Sequence, residues 1–282
     1  MAASASVPLI TRFAPSPTGW LHLGHAYSAC LAYEKTREAG GQFFLRFEDI
    51  DHTRVREHFY PAIEEDLKWL GINWEGKPLR QLERMTAYEE ALGRLRSLGV
   101  LYPCFCTRKD LALAAPQQGD GALVYPGTCR NLNESERVER VARESHAWRI
   151  DMKKAAQLAG PLTFHDQCLG EVQVEPELLG DVVLARKDLA TSYHLAVVVD
   201  DAYQGITSVT RGEDLLESTH VHRVLQALLG LPGQSYYHHR LVVDEEGKRL
   251  AKRHDSLSIR KLREEGCSPD EVKEMAIGAL ES

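Results

Sequence analysis

The 282-residue chain has no apolar run approaching the roughly 18 residues that a bilayer-spanning helix requires, which argues against a membrane partner. Its opening, MAASASVPLI, lacks a basic n-region and a long apolar stretch, so a short tail leading to a first strand is expected rather than a secretory leader. Both absences point to the cytoplasm. Cysteine is scarce: Cys30, Cys104, Cys106, Cys129, Cys168 and Cys267 are too few for a disulfide framework and favour reduced thiols or metal ligation. Positive charge is in deficit, with 34 Lys and Arg against 41 Asp and Glu, and the net charge of −7 argues against nonspecific coating of nucleic acid. A local basic face stays open, because Lys248, Arg249, Lys252, Arg253, Arg260, Lys261 and Arg263 cluster against that overall sign. A solvated helix face explains the same cluster.

What is present reads as α/β, with 43% hydrophobic and 27% charged residues, ordinary values for a globular chain. VPLITRFA has the pattern of a strand, AYSACLAYEKTREAG of a helix stopped by Gly40 and Gly41, and QFFLRFED of a buried strand, together a β-α-β unit. Val55, Phe59, Ile63, Leu67 and Leu70 predict an amphipathic helix with Thr53 as N-cap and Gly71 as stop; Tyr88, Leu92, Leu95 and Leu98 predict another before Gly99. From Pro103 to about Leu189 the character changes to a cysteine cluster, a polar loop, a charged helix and short strand-like runs, read as an insertion. YHLAVVVDDAYQGITSVTRGEDLL then returns to β-branched runs, read as a covered strand of a split parallel core, and STHVHRVLQALLGL is a helix.

The chemistry begins at PSPTGWLHLGHA. A strand passing through a tight turn into a helix presents free N–H groups and the positive end of the dipole, which suits phosphate. His22 and His25 fall at that helix start with Gly24 between them, where imidazole N–H groups can meet oxygens that gain charge. Metal ligation and simple capping are the rival roles. Cys104, Cys106 and Cys129 supply three soft ligands on short loops, a zinc signal without an obvious fourth member. The paired Asp200 and Asp201 suit Mg²⁺ or nucleic-acid contact, and equally a turn or cap.

RFAPSPTGWLHLGHA strongly resembles the signature that opens the class I glutamyl-tRNA synthetase catalytic domain, with His22-Leu23-Gly24-His25 at its "HIGH" motif. FFLRFEDIDHTR, RKDLATSYHLAVVVDD, ITSVTRGEDLL and GKRLAKRHD resemble further blocks of that family in the same order, so the likeness spans nearly the whole chain. It implies a class I aminoacyl-tRNA synthetase fold: a Rossmann-type parallel sheet in two halves, 1–102 and 190–235, split by a zinc-containing α+β subdomain at 103–189. A lysine-motif loop and a short helical, stem-contact-like segment follow at 236–282. A full glutamyl-tRNA synthetase continues into anticodon-reading helical domains, whereas here about thirty residues follow Lys252. That plan is similar to the glutamyl-queuosine tRNA(Asp) synthetase family.

The resemblance implies that Arg12, Ser16, Glu48, Tyr193 and Arg211 bind L-glutamate, with Glu48 on the ammonium and the arginines on carboxylate. ATP, with Mg²⁺, falls to His22, Gly24, His25 and Lys252, of which His22, His25 and Lys252 are the catalytic set. Arg249 and Ala251 depart from the usual lysine and serine of the "KMSKS" loop. A structural Zn²⁺ is implied on Cys104, Cys106, Tyr125 and Cys129. The implied reaction is formation of glutamyl-adenylate and transfer of glutamate to the queuosine base in the anticodon stem-loop of tRNA(Asp), by a monomer. Two alternatives stay open: a short synthetase charging the acceptor end, and a synthetase-like RNA-binding module without chemistry.

Overall fold

Strand β1 (Ile10–Phe13) passes through the Pro15 and Pro17 turn into α1 (Leu23–Glu38) and returns as β2 (Gln42–Phe47), which pairs with β1 in parallel. Gly40 ends α1 in the left-handed region at φ 61°, and a Cβ on Gly41 would lie 2.0 Å from the Leu9 carbonyl oxygen, so the return beside β1 requires glycine. Buried Ala26, Ala29 and Ala32 give α1 a small-residue face that lies close on the strands. The computed structural model describes residues 8–107, 109–111, 117, 118, 122–241 and 258–278; among these no helix is long and apolar enough to cross a membrane.

Beyond β2 come α2 (Phe59–Trp69), β3 (Leu79–Arg80), α3 (Met85–Ser97), β4 (Leu101–Cys104) and the hairpin of β5 (Gln117–Gln118) and β6 (Ala122–Leu123). Next are α4 (Glu134–Arg143), β7 (Ala147–Ile150), α5 (Met152–Ala159), β8 (Thr163–Asp166), β9 (Gly170–Gln173) and β10 (Val183–Ala185). The chain continues through α6 (Tyr193–Tyr203), β11 (Ser208–Gly212), α7 (Leu216–Leu229), β12 (Ser235–His239), α8 (Ile259–Glu264) and α9 (Pro269–Gly278).

Strands β3, β2 and β1 form one parallel group, and β11, β12 and β8 another, with β9 antiparallel at its edge. The groups meet where β11 runs beside β1, joined by Thr207 N–H to the Ile10 carbonyl at 2.9 Å. The middle segment divides its strands, since β8 and β9 extend the edge of the second group while β4, β7 and β10 make a separate antiparallel sheet. One apolar core joins α3, α6, α7, β11 and β12; a second lies under α1, β2 and α2 and takes in Ile259, Leu262, Val272 and Ala276 of the last two helices.

Two elements depart from the sequence reading. The AVVV run belongs to a helix, α6, and the strand is Ser208–Gly212. Leu195, Ala196, Val197, Val198, Asp200 and Asp201 are all buried, so α6 is covered on several sides and shows no polar stripe, which makes its sequence indistinguishable from a covered strand. Helix α2 begins after His58, and Thr53 does not cap it: its hydroxyl donates to Asp51 Oδ1 at 2.7 Å in the preceding turn.

Of the basic cluster, the described members are paired, Arg260 with Glu264, Lys261 with Glu265 and Arg263 with Glu65; the other four lie outside the described residues.

Asp200 and Asp201 close α6 and are buried in ion pairs. Asp200 accepts from Arg84 Nε at 2.6 Å, Tyr88 Oη at 2.7 Å and Gln81 Nε2 at 3.0 Å. Asp201 accepts from Arg12 Nε at 2.9 Å and Arg46 Nη1 at 2.7 Å. Asp200→Ala leaves Arg84 and Tyr88 without their acceptor and is expected to cost about 3–5 kcal/mol in urea unfolding, with Asp200→Asn costing less because its oxygen still accepts. Unchanged stability of the alanine variant would contradict this structural role.

Candidate active site

A cavity of about 220 Å³ opens at the C-terminal ends of β1, β2, β11 and β12, where the strand order reverses between β1 and β11. Ligands of open parallel sheets collect at such a switch point, because the crossovers on either side diverge there. Arg12, Phe13 and Ala14 enter from β1, Glu48 from β2, Thr210, Arg211 and Gly212 from β11, and His239 from β12. His22, Gly24, His25 and Ser28 come from the start of α1, and Tyr193 from the start of α6.

His22 is the N-cap of α1, in extended backbone, and its N–H donates to His25 Nδ1 at 3.2 Å. That contact makes Nδ1 of His25 the acceptor and leaves the proton of the neutral ring on Nε2. The two rings lie 3.9 Å apart between centroids. The C-terminal segment returns to the same place, since Ser258 bridges His22 and Ile259 N–H donates to the Leu21 carbonyl at 2.8 Å. Leu241 also lines the cavity, so both flanks of residues 242–257 stand at this site.

Glu48 is tied to the turn by its N–H, which donates to the Pro15 carbonyl at 3.0 Å, and its carboxylate lies 3.6 Å from Arg46 Nη2. Burial raises the Glu48 carboxyl above the ordinary value against the pull of Arg46 and Arg12. Burial also pushes Asp201 up, but Arg12 and Arg46 outweigh it and hold that carboxyl below the usual range. Arg12 is therefore ion-paired within the protein. Arg211 donates instead to the Tyr193 hydroxyl at 3.2 Å, Thr219 Oγ1 at 2.5 Å and His238 Nε2 at 3.1 Å.

A second cluster lies at the end of β4. The sulfurs of Cys104, Cys106 and Cys129 are all within 4.8 Å of one another, and the Tyr125 hydroxyl stands 3.5 Å from Cys104 Sγ and 3.6 Å from Cys106 Sγ. Sulfurs tetrahedrally arranged about zinc at ~2.3 Å would be about 3.8 Å apart, so the donor set fits that ion. Arg149 supports the cluster, with Nε 3.4 Å from Cys104 Sγ and its guanidinium carbon 3.9 Å from the centre of the Tyr125 ring. Cys30, Cys168 and Cys267 are free thiols elsewhere.

Of the residues expected from sequence, the cavity brings together Arg12, His22, Gly24, His25, Glu48, Tyr193 and Arg211. Ser16 is not among its lining residues, and Lys252 lies outside the described residues. Sequence reasoning missed Ser28, Thr219, His222, His238 and His239. His239 donates from Nδ1 to the Arg240 carbonyl at 2.8 Å, so its Nε2 accepts from Ser28 at 2.5 Å and anchors α1 to β12. The THVH and YYHH runs carried this signal only jointly with the strand register.

The family model for class I tRNA synthetases (E and Q), catalytic domain, matches residues 8–276. A Rhodobacter capsulatus protein named Glutamyl-Q tRNA(Asp) synthetase is 48% identical over 278 residues, 95% of this chain and 99% of its own length. A Nitratidesulfovibrio vulgaris protein of the same name is 43% identical over 90% of this chain and 81% of its own length. Among solved structures, a glutamate-tRNA synthetase from Elizabethkingia anophelis superposes with a TM-score of 0.76 at 29% identity, over 93% of this chain and 54% of that one. This chain thus spans about half the length of that structure. By the family match, by these identities and by the site at the switch point of its sheet, the chain belongs to the class I tRNA synthetases (E and Q).

Proposed function

We propose that the chain is a cytoplasmic ligase that activates L-glutamate with ATP to glutamyl-adenylate and transfers the glutamate to the queuosine base in the anticodon of tRNA(Asp). The observation that carries this reading is the close kinship, over almost the full length of both chains, with a protein named for that activity. The cavity is chemically suited to it. Glutamate brings two carboxylates and an ammonium, and Glu48 and Arg211 offer the matching signs.

In the activation step an oxygen of the glutamate α-carboxylate attacks the α-phosphorus of ATP, and the bond to pyrophosphate breaks. Negative charge grows on the phosphate oxygens, where the N-terminus of α1 and the imidazole N–H groups of His22 and His25 would offset it. Mg²⁺ arriving with the nucleotide would supply further charge neutralisation. Lys252 belongs to a segment flanked by Leu241, which lines the cavity, and Ser258, which bridges the lining residue His22, and this supports the same duty for its ammonium. In the transfer step a hydroxyl of the cyclopentene ring of queuosine attacks the adenylate carbonyl, AMP leaves, and its phosphate takes the proton. Ser16 would contribute to glutamate binding from the turn before α1. Cys104, Cys106, Tyr125 and Cys129 would hold zinc, which crosslinks the end of β4 to the loop at residues 125–129 and takes no part in the chemistry.

The decisive experiment adds labelled glutamate and ATP to tRNA from cells that make queuosine and from cells that cannot. Label confined to the first pool is expected; equal label in both pools would make the chain an acceptor-end synthetase. Lys252→Ala is expected to slow glutamate-dependent ATP–pyrophosphate exchange about 100-fold, and an unchanged rate would remove that residue from the mechanism. Protein purified without chelator is expected to carry about one zinc per chain by elemental analysis, and Cys106→Ser to lose it; well under one in the unaltered protein would contradict the metal assignment.

A further inference from the structure

Two arginines line the cavity in opposite electrostatic settings. Arg12 donates through Nε and Nη2 to both oxygens of Asp201, at 2.9 and 3.3 Å, so its charge is matched inside the protein. Arg211 is as deeply buried, at 7% exposure, yet among the described residues no carboxylate lies within ion-pair distance of it. Its partners are Tyr193 and His222 on Nη1, Thr219 on Nη2 and His238 on Nε. Among the described residues one Nη2 hydrogen is left over.

The geometry fixes the protonation of both imidazoles. A guanidinium only donates, so each ring nitrogen that it addresses must offer a lone pair. His238 Nδ1 lies 2.7 Å from Asp166 Oδ2, so the proton sits on Nδ1 and Nε2 accepts from Arg211. Asp166 is itself held by the N–H groups of Cys168 at 2.8 Å and Leu169 at 3.1 Å. His222 Nδ1 faces Arg211 at 3.4 Å, which puts its proton on Nε2, donated to His194 Nδ1 at 3.2 Å. A second proton on either ring would point an N–H at the guanidinium. Burial and the Arg211 charge agree with this, keeping His238 and His194 at about 4 and His222 well below the ordinary histidine value.

We propose that His238, His222 and Thr219 are specificity-determining positioning residues, a cradle of neutral acceptors that fixes Arg211 while reserving its whole charge for the side-chain carboxylate of the amino-acid substrate. The inference rests on the reading that Arg211 receives that carboxylate. A carboxylate in the cradle would hold Arg211 as firmly, but it would cancel the charge that separates an acidic substrate from its amide. Leaving a buried guanidinium without a counter-ion costs folding free energy, and the neighbouring Arg12 avoids that cost through Asp201. Tyr193 completes the arrangement, since its hydroxyl accepts from Arg211 and keeps its own proton for a ligand oxygen.

The test compares Thr219→Asp with Thr219→Asn in ATP–pyrophosphate exchange, reading kcat and KM for glutamate and for glutamine. The two side chains have nearly the same shape and differ in charge. Thr219→Asp is expected to raise the KM for glutamate about 100-fold, with kcat changed only about threefold, and to collapse the preference for glutamate over glutamine by a similar factor. Thr219→Asn is expected to lower the rate but to keep that preference. The pair His222→Glu and His222→Gln reads the same quantity from the Nη1 side should Thr219→Asp fail to fold. Equal glutamate preference in the charged and neutral variants of a pair would overturn the neutral cradle. Absence of glutamate-dependent exchange in the unaltered protein would instead overturn the underlying reading of Arg211.

Discussion

Two consecutive buried carboxylates at the end of α6 hold the layers of this molecule in register. A helix C-terminus repels negative charge, so Asp200 and Asp201 are stable there only because cations are brought to them. Neighbouring positions on a helix point about 100° apart, and the two side chains accordingly reach different elements. Asp200 binds Gln81, Arg84 and Tyr88 beside and within α3, while Asp201 binds Arg12 of β1 and Arg46 of β2. Helix α6 is thus tied through Asp201 to both strands of the first β-α-β unit and through Asp200 to α3 and the turn before it. The same contacts decide the electrostatics of the cavity. Arg12 and Arg46 are committed to Asp201, Glu48 sits beside them, and among the described residues no carboxylate stands within ion-pair distance of Arg211, the other arginine that lines the cavity.

Much of the architecture was legible because it is written in local pattern. The opening β-α-β unit, the helices around Leu92 and Leu225, and the sequence of α4 with its Asn133 and Glu136 capping box all follow from periodicity and caps. Helix α6 was not, since a short β-branched run buried all round satisfies the strand and helix patterns equally well. The error had a consequence for function: with AVVV as a strand, Asp200 and Asp201 stood at a strand end, where ligands gather, and not at a helix end surrounded by arginines.

The candidate site was legible to the extent that its residues lie in contiguous motifs. His22, Gly24 and His25 need only the turn before α1, and Glu48 only the end of β2. The cradle around Arg211 has no such local signature. Arg211 and His238 are register partners on the parallel strands β11 and β12, and Thr219 and His222 come from one face of α7, three residues apart. Nothing in the chain order joins these positions until the register is known. The cysteine cluster falls between the two cases, with Cys104, Cys106 and Cys129 evident as soft ligands, Tyr125 implied by the resemblance, and their mutual approach supplied by the fold.

The central claim is that one cavity, at the strand ends between β1 and β11, receives both an acidic amino acid and the nucleotide that activates it. A crystal structure with a non-hydrolysable glutamyl-adenylate analogue tests it most directly. The account predicts the side-chain carboxylate within hydrogen-bond distance, about 3 Å, of Arg211 Nη2 and the Tyr193 hydroxyl, the ammonium on Glu48, and the phosphate mimic at His22 and His25. A side-chain carboxylate seated on Arg12 with Asp201 displaced, or an analogue bound outside this cavity, would contradict it.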